Sequence, residues 1–139
     1  MGGFCEAIET AELSNAFDEG NWTIFAPHDG AMYRAPEVFL DLVREDASDT
    51  ELLANYLLYH TSPNNLLRKY DLPCQAGVNL VAMGNDRDSR TLCVDQVPTY
   101  QKGKGNHEDD IPQIIEFDIE ACNGIIHIVD RVLMYDSSE

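Results

Sequence analysis

"IIEFDIEACNGIIHIVDRVL", residues 114–133, decides how the chain folds. Two apolar runs flank a short break. The pair Asn123-Gly124 in that break suits a type I′ turn, whose two central residues both need φ > 0. "IPQIIEFDI" and "GIIHIVDRVL" are therefore predicted to be the two strands of a β-hairpin. Period-two alternation puts His127 on one face of the second strand with Ile125 and Val129.

Working outward, "VNLVAM" and "RTLCV" flank the polar stretch "GNDRDS" and predict a second hairpin. Residues 98–110, "PTYQKGKGNHEDD", have no apolar period and read as an exposed loop. Within it "KGKGN" has the composition of a phosphate cradle, but it follows no predicted strand and opens no predicted helix. The first half of the chain is mainly helical. "FCEAIETAELSNAF" places Phe4, Ile8, Ala11 and Phe17 at near-helical spacing before Gly20 stops it. "NWTIFAP" reads as a short strand ended by Pro27, with His28 or Asp29 able to accept from the free amides of a following short helix.

Residues 36–45 predict another helix, and "SDTELLANYLLYH" a further one, opened by the capping-box spacing of Ser48 and Glu51. Leu52, Tyr56 and Tyr59 share a face of it, with Leu53 and Leu57 beside them. "SPNN" breaks this helix and "NNLLRKY" adds one or two turns. Helices first and strands later imply an α+β domain with a largely antiparallel sheet, one domain over residues 4–136. Residues 1–3 read as an added start and 137–139 as a tail. "MGGFCEAIET" has neither a basic segment nor a long apolar one, so no signal peptide is expected in it and the domain is expected to derive from a longer precursor.

Nine Lys and Arg face 25 Asp and Glu, a net charge of −16, which argues against nucleic acid or an anionic membrane surface as partner. No apolar run reaches the roughly 18 to 20 residues of a membrane span, so direct membrane insertion is not expected. Cations, basic proteins and mineral surfaces fit the charge. Cys5, Cys74, Cys93 and Cys122 form no C-x-x-C pair, which disfavours zinc and favours two disulfides in an oxidising compartment. Four cysteines allow three connectivities. Cys74 and Cys93 lie on either side of the "VNLVAM"/"RTLCV" hairpin, which makes them the first bridge and leaves Cys5 with Cys122.

Enzyme signatures are missing: no G-x-S-x-G, no G-x-x-x-x-G-K-[ST], no H-E-x-x-H and no dinucleotide fingerprint. No cofactor or metal is expected. Asp86 and Asp88 alternate in "NDRDS", but the glycine and terminal glutamate of a calcium loop are not in place, which leaves room only for weak calcium binding. His28 and His107 lie in turns. His60 and His127 sit among apolar residues, where a histidine is usually a hydrogen-bonded core residue. The competing reading, an enzyme using His60 or His127 with nearby carboxylates, has no nucleophile motif beside it.

Three stretches together resemble the fasciclin (FAS1) domain family. "TIFAPHDGAM", residues 23–32, is similar to its first signature through Thr23, Phe25, Ala26 and Pro27. His28 departs there from the usual Thr, and Gly30 and Met32 from a longer side chain and an aromatic. "NGIIHIVDRVL", residues 123–133, is similar to its second, through Asn123, Gly124, His127 and Asp130. Tyr59-His60 matches the family's Tyr-His motif. The resemblance implies a wedge-shaped β-sandwich with helices along one side, and signatures that are chiefly structural.

It also implies a noncatalytic extracellular module for adhesion or matrix binding, secreted or anchored at the cell surface, whose partners are cell-surface or matrix proteins or polysaccharides. Homophilic contact stays open. The Tyr-His region has been linked to integrin contact in some animal members, which points to Leu57, Leu58, Tyr59 and His60 as partner-binding residues. The alternative is a soluble acidic secreted protein that binds calcium, mineral or polysaccharide. "NWT", residues 21–23, matches an N-glycosylation acceptor at Asn21, although a strand start is an awkward place for one.

Overall fold

The computed structural model describes residues 21–43, 50–77, 79–121 and 124–135. The helix expected over 4–17, Ser48 of the capping box, Cys5, Cys122, Asn123 and the 137–139 tail lie outside them. Strand β1 (Trp22–Pro27) is followed by the short helices α1 (Asp29–Tyr33) and α2 (Glu37–Val43) and by α3 (Thr50–Leu58). The strands β2 (Thr61–Pro63), β3 (Leu80–Ala82), β4 (Asp88–Val94), β5 (Val97–Gly103), β6 (Ile114–Ala121) and β7 (Gly124–Val129) complete it.

Two sheets form, in the orders β2-β1-β7-β6 and β3-β4-β5. All neighbours are antiparallel except the central pair, where β1 runs parallel to β7 from Trp22↔Gly124 to Pro27↔Val129. Both strands alternate, burying Thr23 and Phe25 on one and Ile125, His127 and Val129 on the other. The core between sheet and helices centres on Phe25, Phe39, Leu53, Leu57, Tyr59, Val129 and Leu133, each with no exposed surface.

Several expectations need correction. Gly124 is the first residue of β7, opposite Ala121, and not a turn residue of the expected kind. A Cβ at Gly124 would fall on the carbonyl of Trp22, so its role is close approach of β1 to β7. "GNDRDS" is shorter as a loop than expected, because Asp88 and Ser89 already belong to β4. Thr61–Pro63 is a strand, and "NNLLRKY" supplies only the 3₁₀ turn Lys69–Asp71.

The stretch expected as an exposed loop over 98–110 is largely built into the fold. Its first half is β5, and Gln101, Gly103 and Asn106 are buried. "KGKGN" cradles the chain's own backbone: a side chain at Gly103 or Gly105 would collide with the carbonyls of Met134 or Tyr135. Asn106 completes this clamp. Its Oδ1 accepts from the amides of Gly103 (2.9 Å) and Met134 (3.1 Å), and its Nδ2 donates to the carbonyls of Asp110 (3.2 Å) and Val132 (3.1 Å). The amide is thus fully used in holding the segment after β7.

Candidate functional site

His60 lies in the turn just after α3 and is fully buried. Its Nδ1 lies 2.8 Å from the carbonyl of Tyr56, which can only accept, and the amide of Leu133 donates to its Nε2 at 2.9 Å. The proton must therefore sit on Nδ1. Burial drives its pKa down to about 4, against a smaller upward push from the Tyr56 carbonyl. This ring joins the end of α3 to the segment beyond β7, and Phe39 lies beside it.

His127 carries the opposite tautomer. The amide of Asp118 donates to its Nδ1 at 3.2 Å, and its Nε2 donates to the carbonyl of Leu67 at 2.6 Å. The Asp118 carboxylate lies 4.0 Å from Nδ1. That contact is not an ion pair, because Nδ1 is occupied as an acceptor and burial holds the pKa below the ordinary histidine value, outweighing the upward pulls of Leu67 and Asp118. Asp118 itself adopts φ 60° in the irregular part of β6 and accepts from the amide of Lys69 at 2.7 Å. Phe25 and Phe117 flank the ring. All four ring nitrogens of the two histidines are thus committed to backbone groups, and neither ring is placed to pass protons to a bound molecule.

The other signature residues do similar work. Thr23 Oγ1 donates to the carbonyl of Asn65 (2.5 Å) and accepts from the amide of Leu67 (2.8 Å), so β1 holds the loop that covers His127. His28, at the N-cap of α1, accepts from the amide of Ala31 through Nδ1 at 2.9 Å, the task a Thr hydroxyl would perform. Asp130 Oδ1 accepts from the amide of Gln113 (2.8 Å), and its own amide donates back to the Gln113 carbonyl (3.0 Å), which fixes the start of β6 against the end of β7. Phe25, Ala26 and Pro27 are buried.

Of the residues the sequence nominates for partner contact, Leu57, Tyr59 and His60 are 0 % exposed and only Leu58 is half-buried. Tyr59 donates its hydroxyl to the carbonyl of Asp88 at 2.5 Å, and burial pushes its pKa up to about 12. These side chains support the surface at that turn; Leu58 is the one that reaches it. Asp86 (φ 65°) and Asp88 are exposed in and after the β3–β4 turn. Among the described residues no group of three or more His, Cys, Asp or Glu side chains could hold a metal ion.

Cys74 and Cys93 are joined by a disulfide, Cα to Cα 5.9 Å. Beside it lies a cleft of about 420 Å³, lined in part by Gln75, Gly77, Arg90, Leu92 and Gln96. Sequence reasoning missed this cleft, because it forms only when residues 74–77 and 79 are brought beside β4. It also missed Asn106, Gln101 and the close approach at Gly103 and Gly105.

The family profile "Fasciclin domain" matches residues 2–135, and the chain belongs to that family. Human periostin is 24% identical over 151 residues, a match that takes in 100% of this chain and 15% of periostin. The FAS1 domain pair of the insect cell adhesion molecule Fasciclin I shares the fold at a TM-score of 0.64 and 18% identity, over 94% of this chain and 43% of that one. The chain thus spans less than half the length of each of these relatives. No helix among the described residues is long and apolar enough to cross a membrane.

Proposed function

We propose that the domain is a noncatalytic adhesion or matrix-binding module that works outside the cell, on a cell-surface or matrix protein or polysaccharide. The observation that carries this reading is the commitment of both signature histidines to backbone hydrogen bonds, which makes them joints of a rigid scaffold. Family membership supports it, and the fold is shared with a protein described as an insect cell adhesion molecule. What remains for binding is the surface, which offers Tyr33 at 85 % and Tyr70 at 77 % exposure.

If a partner is met at the end of α3, Leu58 meets it. Microspheres coated with the folded domain test the reading: they should retain cells or matrix above the level of albumin-coated spheres, and Leu58→Ser should reduce retention. Spheres no stickier than albumin under every matrix offered would contradict it.

Asn21 is a second element of the proposal, as a glycan acceptor. It is exposed, while the Thr23 hydroxyl of the same acceptor triplet is buried and bonded on both sides. Transfer would therefore have to precede docking of β1. A glycosidase-sensitive mass on protein secreted from eukaryotic cells, lost in Asn21→Gln, is the expected result.

A further inference from the structure

We propose that the outer face of the β3-β4-β5 sheet, with the cleft beside the Cys74–Cys93 disulfide, binds an oligosaccharide through a uronic-acid carboxylate held between Arg90 and Lys102. The charge distribution is the first reason. The chain has only nine Lys and Arg, yet Arg87, Arg90, Lys102 and Lys104 all fall on this small sheet or its rims. Arg90 stands directly opposite Lys102 in the β4–β5 register. Like charges in that position repel and weaken a strand pair.

With 25 carboxylates in the chain, a partner for these cations would be easy to supply. Arg68 and Arg131 have theirs in Glu120 and Asp110, at 3.1 and 2.9 Å. Neither Arg90 nor Lys102 has a carboxylate partner among the described residues; Lys102 Nζ reaches only the carbonyl of Gly103, at 3.3 Å. Arg90 and Lys102 thus face each other with no carboxylate in contact with either among the described residues, and an incoming anion would relieve their repulsion.

The surroundings select the ligand. On the same face Leu92 pairs with the partly buried Tyr100, and Leu80, 55 % exposed, pairs with Arg90, so apolar side chains flank the two cations and offer a sugar ring a place to lie. At the Arg90 and Leu92 edge the cleft adds the exposed amides of Gln75 and Gln96, which can both donate to and accept from hydroxyls. Its volume is that of a small-molecule site. Its outer wall is held by the disulfide and by reciprocal bonds between Gln75 and Asn79, at 2.9 and 3.1 Å. The Arg90 guanidinium supplies the planar fork that matches a carboxylate. A net charge of −16 works against long or sulfated polyanions, which favours a short unsulfated uronate with one carboxylate to a ring.

This inference names a ligand for the module proposed above, but it is tested in solution without cells or coated surfaces, so its failure would leave the adhesion reading standing. The ¹⁵N-labelled domain is titrated with trigalacturonic acid and with its methyl ester, up to about 10 mM, the range in which weak single-site binding is seen. The acid should shift the amides of Gln75, Gly77, Arg90, Leu92, Gln96 and Lys102, and the ester should bind about tenfold more weakly or not at all. Arg90→Gln and Lys102→Gln should each weaken binding about tenfold and leave the melting temperature equal or higher, since each removes a repulsion. No shifts, equal binding of the ester, shifts confined to another face, or an acidic peptide moving the same amides as strongly would each overturn the proposal.

Discussion

The tautomers of His60 and His127 are opposite because each is dictated by whichever nitrogen meets an amide donor. That makes both rings intolerant of a second proton. For His60 the folded pKa, about 4, lies below the ordinary value of 6.5. Between those values the unfolded chain takes up a proton that the folded protein refuses, so stability rises with pH. The contribution is fully present above about pH 6.5 and is lost as pH falls toward 4, by on the order of 3 kcal/mol. His127 acts in the same direction. Urea melts from pH 7 down to 5 should show this slope, and a His60→Gln variant should show a shallower one; an unchanged slope would contradict the assignment. At Gly124 the constraint is steric. Gly124→Ala sets a methyl against the backbone of Trp22, which cannot step aside as a side chain can, and should cost about 3 kcal/mol in the same melts.

Among the elements, the Asn106 clamp and the disulfide hold segments that make no long strand of their own. Asn106→Ala leaves the amides of Gly103 and Met134 without their acceptor and should destabilise by about 3 kcal/mol. Reduction of Cys74–Cys93, which closes a loop of sequence separation 19, should cost about 3 kcal/mol in the chain-entropy model and lower the melting temperature. Unchanged melting in dithiothreitol would mean that residues 74–77 hold their place without it. These are also the places where sequence was least informative. The β6–β7 and β3–β4 hairpins were legible because apolar residues alternate in them, and α3 because Leu52, Tyr56 and Tyr59 fall on one face with Leu53 and Leu57 beside them. Strand β5 was not, because the inner face it shares with β4 is polar: Thr91 Oγ1 donates to Gln101 Oε1 and Gln101 Nε2 to Ser89 Oγ, both at 2.8 Å. A strand whose buried face is a hydrogen-bonded chain has no hydrophobic period to detect. Strand β2 is three residues of Thr, Ser and Pro and was hidden for the same reason. His60 and His127 could be picked out as core histidines from their neighbours, whereas their tautomers depend on Leu67, Asp118 and Leu133, which only the fold brings near.

At the scale of the molecule, β1 and β7 are the first and last strands described, and they pair at the centre of the larger sheet. The sheet is complete only when the C-terminal hairpin reaches β1, and His60 and His127 tie the intervening chain to that closure. The charge of −16 acts against it through self-repulsion. Raising salt from about 0.02 to 0.2 M shortens the screening length severalfold and should raise the melting temperature; a fall would mean that ion pairs such as Arg131–Asp110 outweigh the repulsion. The family's signature histidines, His60 and His127, act as structural joints, with every ring nitrogen committed to the backbone. Long-range ¹H–¹⁵N correlation of the imidazole rings tests that role most directly. His60 should appear as the Nδ1–H tautomer, neutral at pH 5.5, and His127 as the Nε2–H tautomer, titrating below the ordinary histidine value. Either ring titrating near 6.5, or the two sharing one tautomer, would contradict it.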